Sequence, residues 1–309
     1  MTNSTIDLST GIRRCVISIA IAIGLLALIV VFRPKSQVGV PEAKFWLNKF
    51  DANRYNVVLA GDSRVLHGLS PQPFSDLGVG SATNFGFRGV ALNKRYFDVA
   101  VSRLSQDGPR VLVLGITPNS FTPSANSSNG FTKYIEIADA EVFEMPEWFY
   151  RVQDQLRPAS LAEMLRIARR RSGSMLTTLH PDGWSAVNTK FPDDTSALKF
   201  YRVRFDKNEV EHKHMEESFE MVSSCVEAGI NVFGVQVPVT EAMQEIENSK
   251  SGFNYDAYIA RFEEAGGVWL RPDITDCKTH DGSHLDSQSA TLYSTRLATL
   301  VKDRIAESP

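Results

Sequence analysis

The chain opens on one long apolar run and then settles into short apolar stretches separated by amphipathic ones. Residues 15–32 (CVISIAIAIGLLALIVVF) form an 18-residue run with no charged side chain. That is the lower end of the length a helix needs to span a bilayer. Arg13 and Arg14 precede it, Arg33 and Lys35 follow it, and no small-x-small cleavage pattern comes after it. An uncleaved single-pass anchor over 15–32 is therefore expected, rather than a removed signal peptide. The competing reading is a buried core helix at the start of a soluble domain. The Arg13–Arg14 pair favours a cytoplasmic tail (1–14), which places the large domain on the periplasmic or extracellular side.

Residues 33–54 read as a linker ending in a short amphipathic helix (42–50). From 55 onward the period changes. Runs at 57–60 (VVLA), 111–116 (VLVLGI) and 231–238 (NVFGVQVP) have the continuous apolar character of buried strands, with weaker candidates at 82–87 and 268–274. Helical patterns fall between and after them at 96–104, 210–228, 255–265 and 286–305. Strands alternating with helices predict a parallel sheet with helices on both faces. Residues 130–200 break this alternation. They hold acidic and aromatic residues, a helical pattern at 160–171 and an Asp182-Gly183 turn. A mostly helical insertion at about 130–200 within an α/β domain of residues 55–309 is the expectation.

Composition narrows the function. Of 309 residues, 43% are hydrophobic and 22% charged, which is ordinary for a globular chain of this length. The net charge of −3 argues against a nucleic-acid binder, whose affinity rests on excess Lys and Arg. Three cysteines are too few for a disulfide framework, although Cys225 and Cys277 could pair in an oxidising compartment. No zinc-spaced cluster is present, and no metal or cofactor is expected. His212 and His214 read as part of a solvated helix face.

The candidate chemistry lies at two distant places. The run at 57–60 stops abruptly at Gly61-Asp62-Ser63. This is how a parallel strand delivers a serine to the carboxyl edge of a sheet, where open α/β folds bind ligands. Asp281-Gly282-Ser283-His284 supplies a carboxylate and an imidazole in a loop just before a helix. A serine hydroxyl needs a base to take its proton, and the base needs an orienting partner. Ser63, His284 and Asp281 can fill these roles, with Asp62 as a structural acceptor at the turn and His280 as a spectator. Ser63 could instead cap the following helix, and Asp281 could merely serve a turn before Gly282.

These segments resemble the SGNH/GDSL hydrolase superfamily. Gly61-Asp62-Ser63 is similar to its first block, with Arg64 in place of the leucine. Asn84 to Gly89 (NFGFRG) resembles the second block, which implies an oxyanion-hole N–H from Gly89, with Gly86 as the runner-up. Residues 111–119 resemble the third, with Asn119 at the asparagine position but Pro118 where a glycine is usual. Asp281-x-x-His284 resembles the fifth. The resemblance implies a flavodoxin-like three-layer α/β/α sandwich. It also implies a Ser63–His284–Asp281 triad and an oxyanion hole formed by Ser63, Gly89 and Asn119. The anchor, Arg64 and the insertion look most like the membrane-anchored branch of alginate O-acetylation and teichoic acid D-alanylation proteins. The partners then implied are an acylated glycan or envelope polymer and a membrane-bound acyltransferase. Arg64 and Arg88 flank the proposed catalytic residues and are expected at the pocket mouth as anion-binding groups. The alternative is a non-catalytic binding or scaffold protein of the same fold.

Overall fold

The computed structural model describes residues 8–32, 37–127, 129–139, 146, 148–150, 152, 175–206 and 208–307, with backbone alone at 8–10, 25–32 and 139. Its centre is a five-stranded, all-parallel sheet of β2 (Val57–Gly61), β3 (Ala82–Asn84), β4 (Val111–Gly115), β7 (Asn231–Val235) and β8 (Val268–Trp269). The order across the sheet is β3-β2-β4-β7-β8. The chain thus moves outward in one direction from β2 to β3, then crosses back to β4 and continues the other way. Ligands in open parallel sheets bind at such a reversal, outside the carboxyl ends of the strands.

The sequence makes this sheet because β2 and β4 are buried along their whole length. Their alternate residues enter two separate apolar clusters. Val58, Ala60, Leu112, Leu114 and Val232 join the helices Lys94–Ser102, His212–Glu227 and Tyr255–Glu264 on one face. Val57, Leu59, Val111, Val113, Phe233 and Val235 join the helices Ser63–Gly68 and Ser287–Glu307 on the other. Two covered faces explain why these strands read as continuous apolar runs.

Three expectations stand differently in the structure. Where it is described, the insertion mixes helix with strand. After the helix Gly130–Asp139 come β5 (Met175–Leu179) and β6 (Ser185–Thr189), an antiparallel pair. β1 (Gln37–Gly39), inside the expected linker, adds to β5 in parallel to complete a second, three-stranded sheet. The helical pattern at 160–171 lies outside the described residues. Lys49 ties the two sheets together. It is 4% exposed, and its ammonium donates to the carbonyls of Asn84 and Gly183, the latter at 2.8 Å. Burial holds its pKa well below the ordinary lysine value.

The second concerns the apolar run. A helix, Leu8–Phe32, covers it. Among the described residues, however, no helix is long and apolar enough to cross a membrane, and the described side chains on this one end before residue 25. Those from 11 to 24 are exposed on every side, so this stretch is not buried against the described residues of the domain.

The third concerns two side-chain pairings. Cys225 and Cys277 are both free and pack on opposite sides of the central sheet. His214 is not solvated: it is 17% exposed and bonds Asn126 at 2.9 Å, between Glu211 and Glu217.

Candidate functional site

Both strands beside the reversal contribute to the site. After β2, Asp62 caps the helix Ser63–Gly68, its Oδ1 accepting the Arg64 N–H at 2.9 Å. Thr117, just beyond β4, donates to its Oδ2 at 2.8 Å. The cap is thus Asp62, as the reading of it as a structural acceptor expected, and Ser63 is left free of that duty. A helix N-terminus also directs its dipole at the serine.

The loop Asp281–His284 meets Ser63 from 221 positions away. Ser63 Oγ lies 2.8 Å from His284 Nε2, and His284 Nδ1 lies 2.8 Å from Asp281 Oδ2. An ionised carboxylate only accepts, so the His284 proton sits on Nδ1 and Nε2 is left to accept from Ser63. Asp281 Oδ1 accepts the N–H groups of Ser283 at 2.9 Å and His284 at 2.8 Å. Burial pushes the Asp281 carboxyl up, but these hydrogen bonds and the two imidazoles outweigh it and hold the group well below the usual range. Gly282 makes the loop achievable. Its φ is +93°, and a Cβ there would stand 2.1 Å from the Asp194 carbonyl oxygen.

Ser63, Asp281 and His284 open onto a cavity of about 490 Å³ that Gly89, Asn119, Arg88, His67, Phe200, Tyr201 and Arg204 also line. Gly89 has φ +64°, a backbone conformation glycine adopts without strain. The Gly86 N–H is already committed to Asn84 Oδ1 at 2.8 Å, which removes the runner-up as an oxyanion donor. Asn84 in turn donates to the Val65 and Leu69 carbonyls, both at 2.7 Å, and so pins the end of β3 to the Ser63 helix. Asn119 lies in the turn Pro118–Phe121 after β4. Its Oδ1 accepts from Arg204 Nε, which leaves its Nδ2 hydrogens for a ligand.

The two flanking arginines part company. Arg88 is exposed and lines the cavity. Arg64 does not reach it. It is 1% exposed, forms an ion pair with Glu247 and donates from Nε to Ser283 Oγ at 3.2 Å. Arg64 is therefore not an anion-binding residue at the pocket mouth: its guanidinium, including the unpaired Nη1, is buried away from the cavity.

Of the cavity residues not singled out from sequence, two touch the candidate groups. Arg204 fixes the Asn119 amide. His67, one helical turn after Ser63, donates from Nδ1 to the Ser185 carbonyl at 2.8 Å and packs edge-on against His284 at 5.4 Å. Burial, then the neighbouring His284, lowers the His67 pKa well below its ordinary value and keeps the ring neutral. His280 stacks on His284 at 5.8 Å. His280, Asp281 and His284 bring ligand atoms within 4.8 Å of one another, a spacing that could hold a metal ion. An ion there would displace the His284 contacts described above.

In chemical terms the arrangement is a serine hydroxyl, an imidazole with its proton on the nitrogen facing a carboxylate, and that carboxylate, all beside one cavity. Comparison with protein-family models, curated proteins and solved structures finds no match to this chain.

Proposed function

We propose that this protein is a membrane-anchored serine esterase or O-acyltransferase of the SGNH/GDSL type. Its substrates are acyl esters, acetyl esters foremost, of a polysaccharide or other envelope polymer outside the cytoplasm. The observation that carries the reading is the continuous Ser63–His284–Asp281 hydrogen-bonded chain, with both links at 2.8 Å. Further support comes from the strand order. Counted within the parallel sheet it runs 2-1-3-4-5, the flavodoxin-like order, with Ser63 at its switch point.

In the acylation half, Ser63 Oγ attacks the ester carbonyl carbon as its proton passes to His284 Nε2. Asp281 holds the imidazole in place and stabilises the cation that forms. The carbonyl π electrons move onto oxygen, where the Ser63 and Gly89 N–H groups and Asn119 Nδ2 receive the charge. The tetrahedral intermediate collapses, the ester C–O bond breaks, and the departing alkoxide takes the proton from His284. Water or a sugar hydroxyl then repeats the steps in reverse on the acyl-enzyme. Water makes the protein an esterase and a hydroxyl makes it a transferase.

The anchor belongs to the same proposal. Residues 15–32 carry no charge, and a helix apolar on every face suits either a core or lipid. Arg88 at the cavity mouth suits an anionic acceptor. Its replacement by Ala should raise KM for such an acceptor and not for a neutral one.

The test is fluorophosphonate labelling of the detergent-solubilised full chain beside its Ser63→Ala variant, because the probe requires an activated serine and no knowledge of the substrate. Labelling that vanishes in the variant is the expected result. A folded wild-type chain that stays unlabelled would overturn it in favour of a non-catalytic binding or scaffold protein.

A further inference from the structure

Arg64 follows the nucleophile directly, yet its side chain runs behind the site rather than into it. Its Nε donates to Ser283 Oγ at 3.2 Å, and its Nη2 pairs with Glu247, each partner of the pair being 1% exposed. The guanidinium lies 5.7 Å from the Tyr201 ring centre, and the Tyr255 hydroxyl donates to Glu247 Oε2 at 3.4 Å. Ser283 is itself fully buried and sits between Asp281 and His284 in the chain. One guanidinium thus joins the residue next to the nucleophile to the residue between the acid and the base. Desolvating such a pair costs about as much as the pair returns, so stability alone does not account for it.

We propose that Arg64 is a positioning residue. Held by Glu247, it fixes Ser283, and through Ser283 it sets the Asp281–His284 loop against the helix that begins at Ser63. The inference rests on the catalytic reading above. Without the strut the loop keeps its own Asp281 contacts and its ties from Gly282 to Thr240 and from Asp281 to Ala197, but loses its direct link to the first turn of the helix that begins at Ser63. An error of about 1 Å in such a distance costs on the order of 100-fold in rate.

Two variants of the full chain test this. Ser283→Ala removes the acceptor with little change in volume. Arg64→Met combined with Glu247→Leu removes both buried charges together, an exchange that is often neutral or stabilising, whereas either change alone strands a charge. Two readouts apply: saturation kinetics of fluorophosphonate labelling at Ser63, and the far-downfield proton resonance of His284 Nδ1–H. The expected result is a melting temperature within a few degrees of wild type, kinact reduced about 100-fold, KI unchanged and a shifted or broadened proton resonance. Because the two variants break one strut, combining them should add little further loss.

A well-folded variant with wild-type kinact and an unmoved resonance would overturn the role. If the charge-pair variant fails to fold, Ser283→Ala decides alone. If wild type itself does not label, the proposed chemistry falls, and the proton resonance still decides whether Arg64 positions the loop.

Discussion

In front of Ser63 stand Gly89, Asn119, Arg204 and His67; behind it lie Asp62, Arg64, Thr117, Ser283 and Glu247. The two sides use similar groups to different ends. Behind, the carboxylate of Asp62 accepts from Arg64 N–H and Thr117, and that of Glu247 from Arg64 and Tyr255. These groups are sealed and spend most of their hydrogen-bonding capacity on one another, with Arg64 Nη1 left unpaired. In front, two groups are held by one end and open at the other. Asn119 gives its oxygen to Arg204 and keeps its amide hydrogens, and His67 gives Nδ1 to Ser185 and keeps Nε2. A polar group with no spare valence can only position. One that is anchored at a single end can be aimed at a reacting atom without reorganising when charge develops.

That comparison breaks most visibly at the carboxylate which serves both sides. Asp281→Asn replaces an acceptor by an amide that can donate to His284, favouring the wrong tautomer. Turnover of a model acetyl ester should fall on the order of 10⁴-fold with the fold intact. Next comes the open side. Asn119→Ala should lower kcat about 100-fold or more and leave KM and melting temperature close to wild type, since it removes a donor to the oxyanion alone. Arg204→Met should cost less, on the order of tenfold, because it frees the amide to turn without deleting it. In the Asn119→Ala background the Arg204 change should cost almost nothing further. Independent, additive losses in steady-state kinetics would mean that Arg204 acts on the substrate itself.

How much of this was legible in the sequence follows from the same physics. The strands β2 and β4 were readable because burial on both faces makes them continuous apolar runs ending at Gly61 and Gly115. The three residues of β1 carry no period, and their partner β5 begins at residue 175, so nothing local marks the second sheet. Regular strand geometry in β3 ends at Asn84, but the Phe85 and Phe87 N–H groups still bond the Leu59 and Gly61 carbonyls of β2 at 2.8 and 3.0 Å, so contact with β2 runs on over the expected 82–87. Ser63, His284 and Asp281 were expected together and are found together. Arg64 was misread because adjacency in sequence was taken for adjacency in space. Neighbours i and i+1 on a helix do not face the same way. The same rule would have found His67, since i and i+4 do share a face. Arg204 lies in a helix (Leu198–Phe205) that no motif marks.

The smallest expected effect distinguishes an engaged Asp281 from an idle one. Its folded pKa lies below the ordinary 3.8. A depressed carboxylate contributes stability that is fully present above the unfolded value and is lost as pH falls through the folded one. Wild type should therefore exceed Asp281→Asn in urea midpoint near neutral pH, and the gap should narrow steadily as pH falls from about 5 to about 2. The carboxyl side chain is 20% exposed, so solvent screens part of this difference. A gap that stays constant down to pH 2 would mean that the carboxylate gains nothing from His284 in the folded state. The imidazole would then have no fixed tautomer, and the distinction between a sealed side that positions and an open side that acts would lose the residue that joins them.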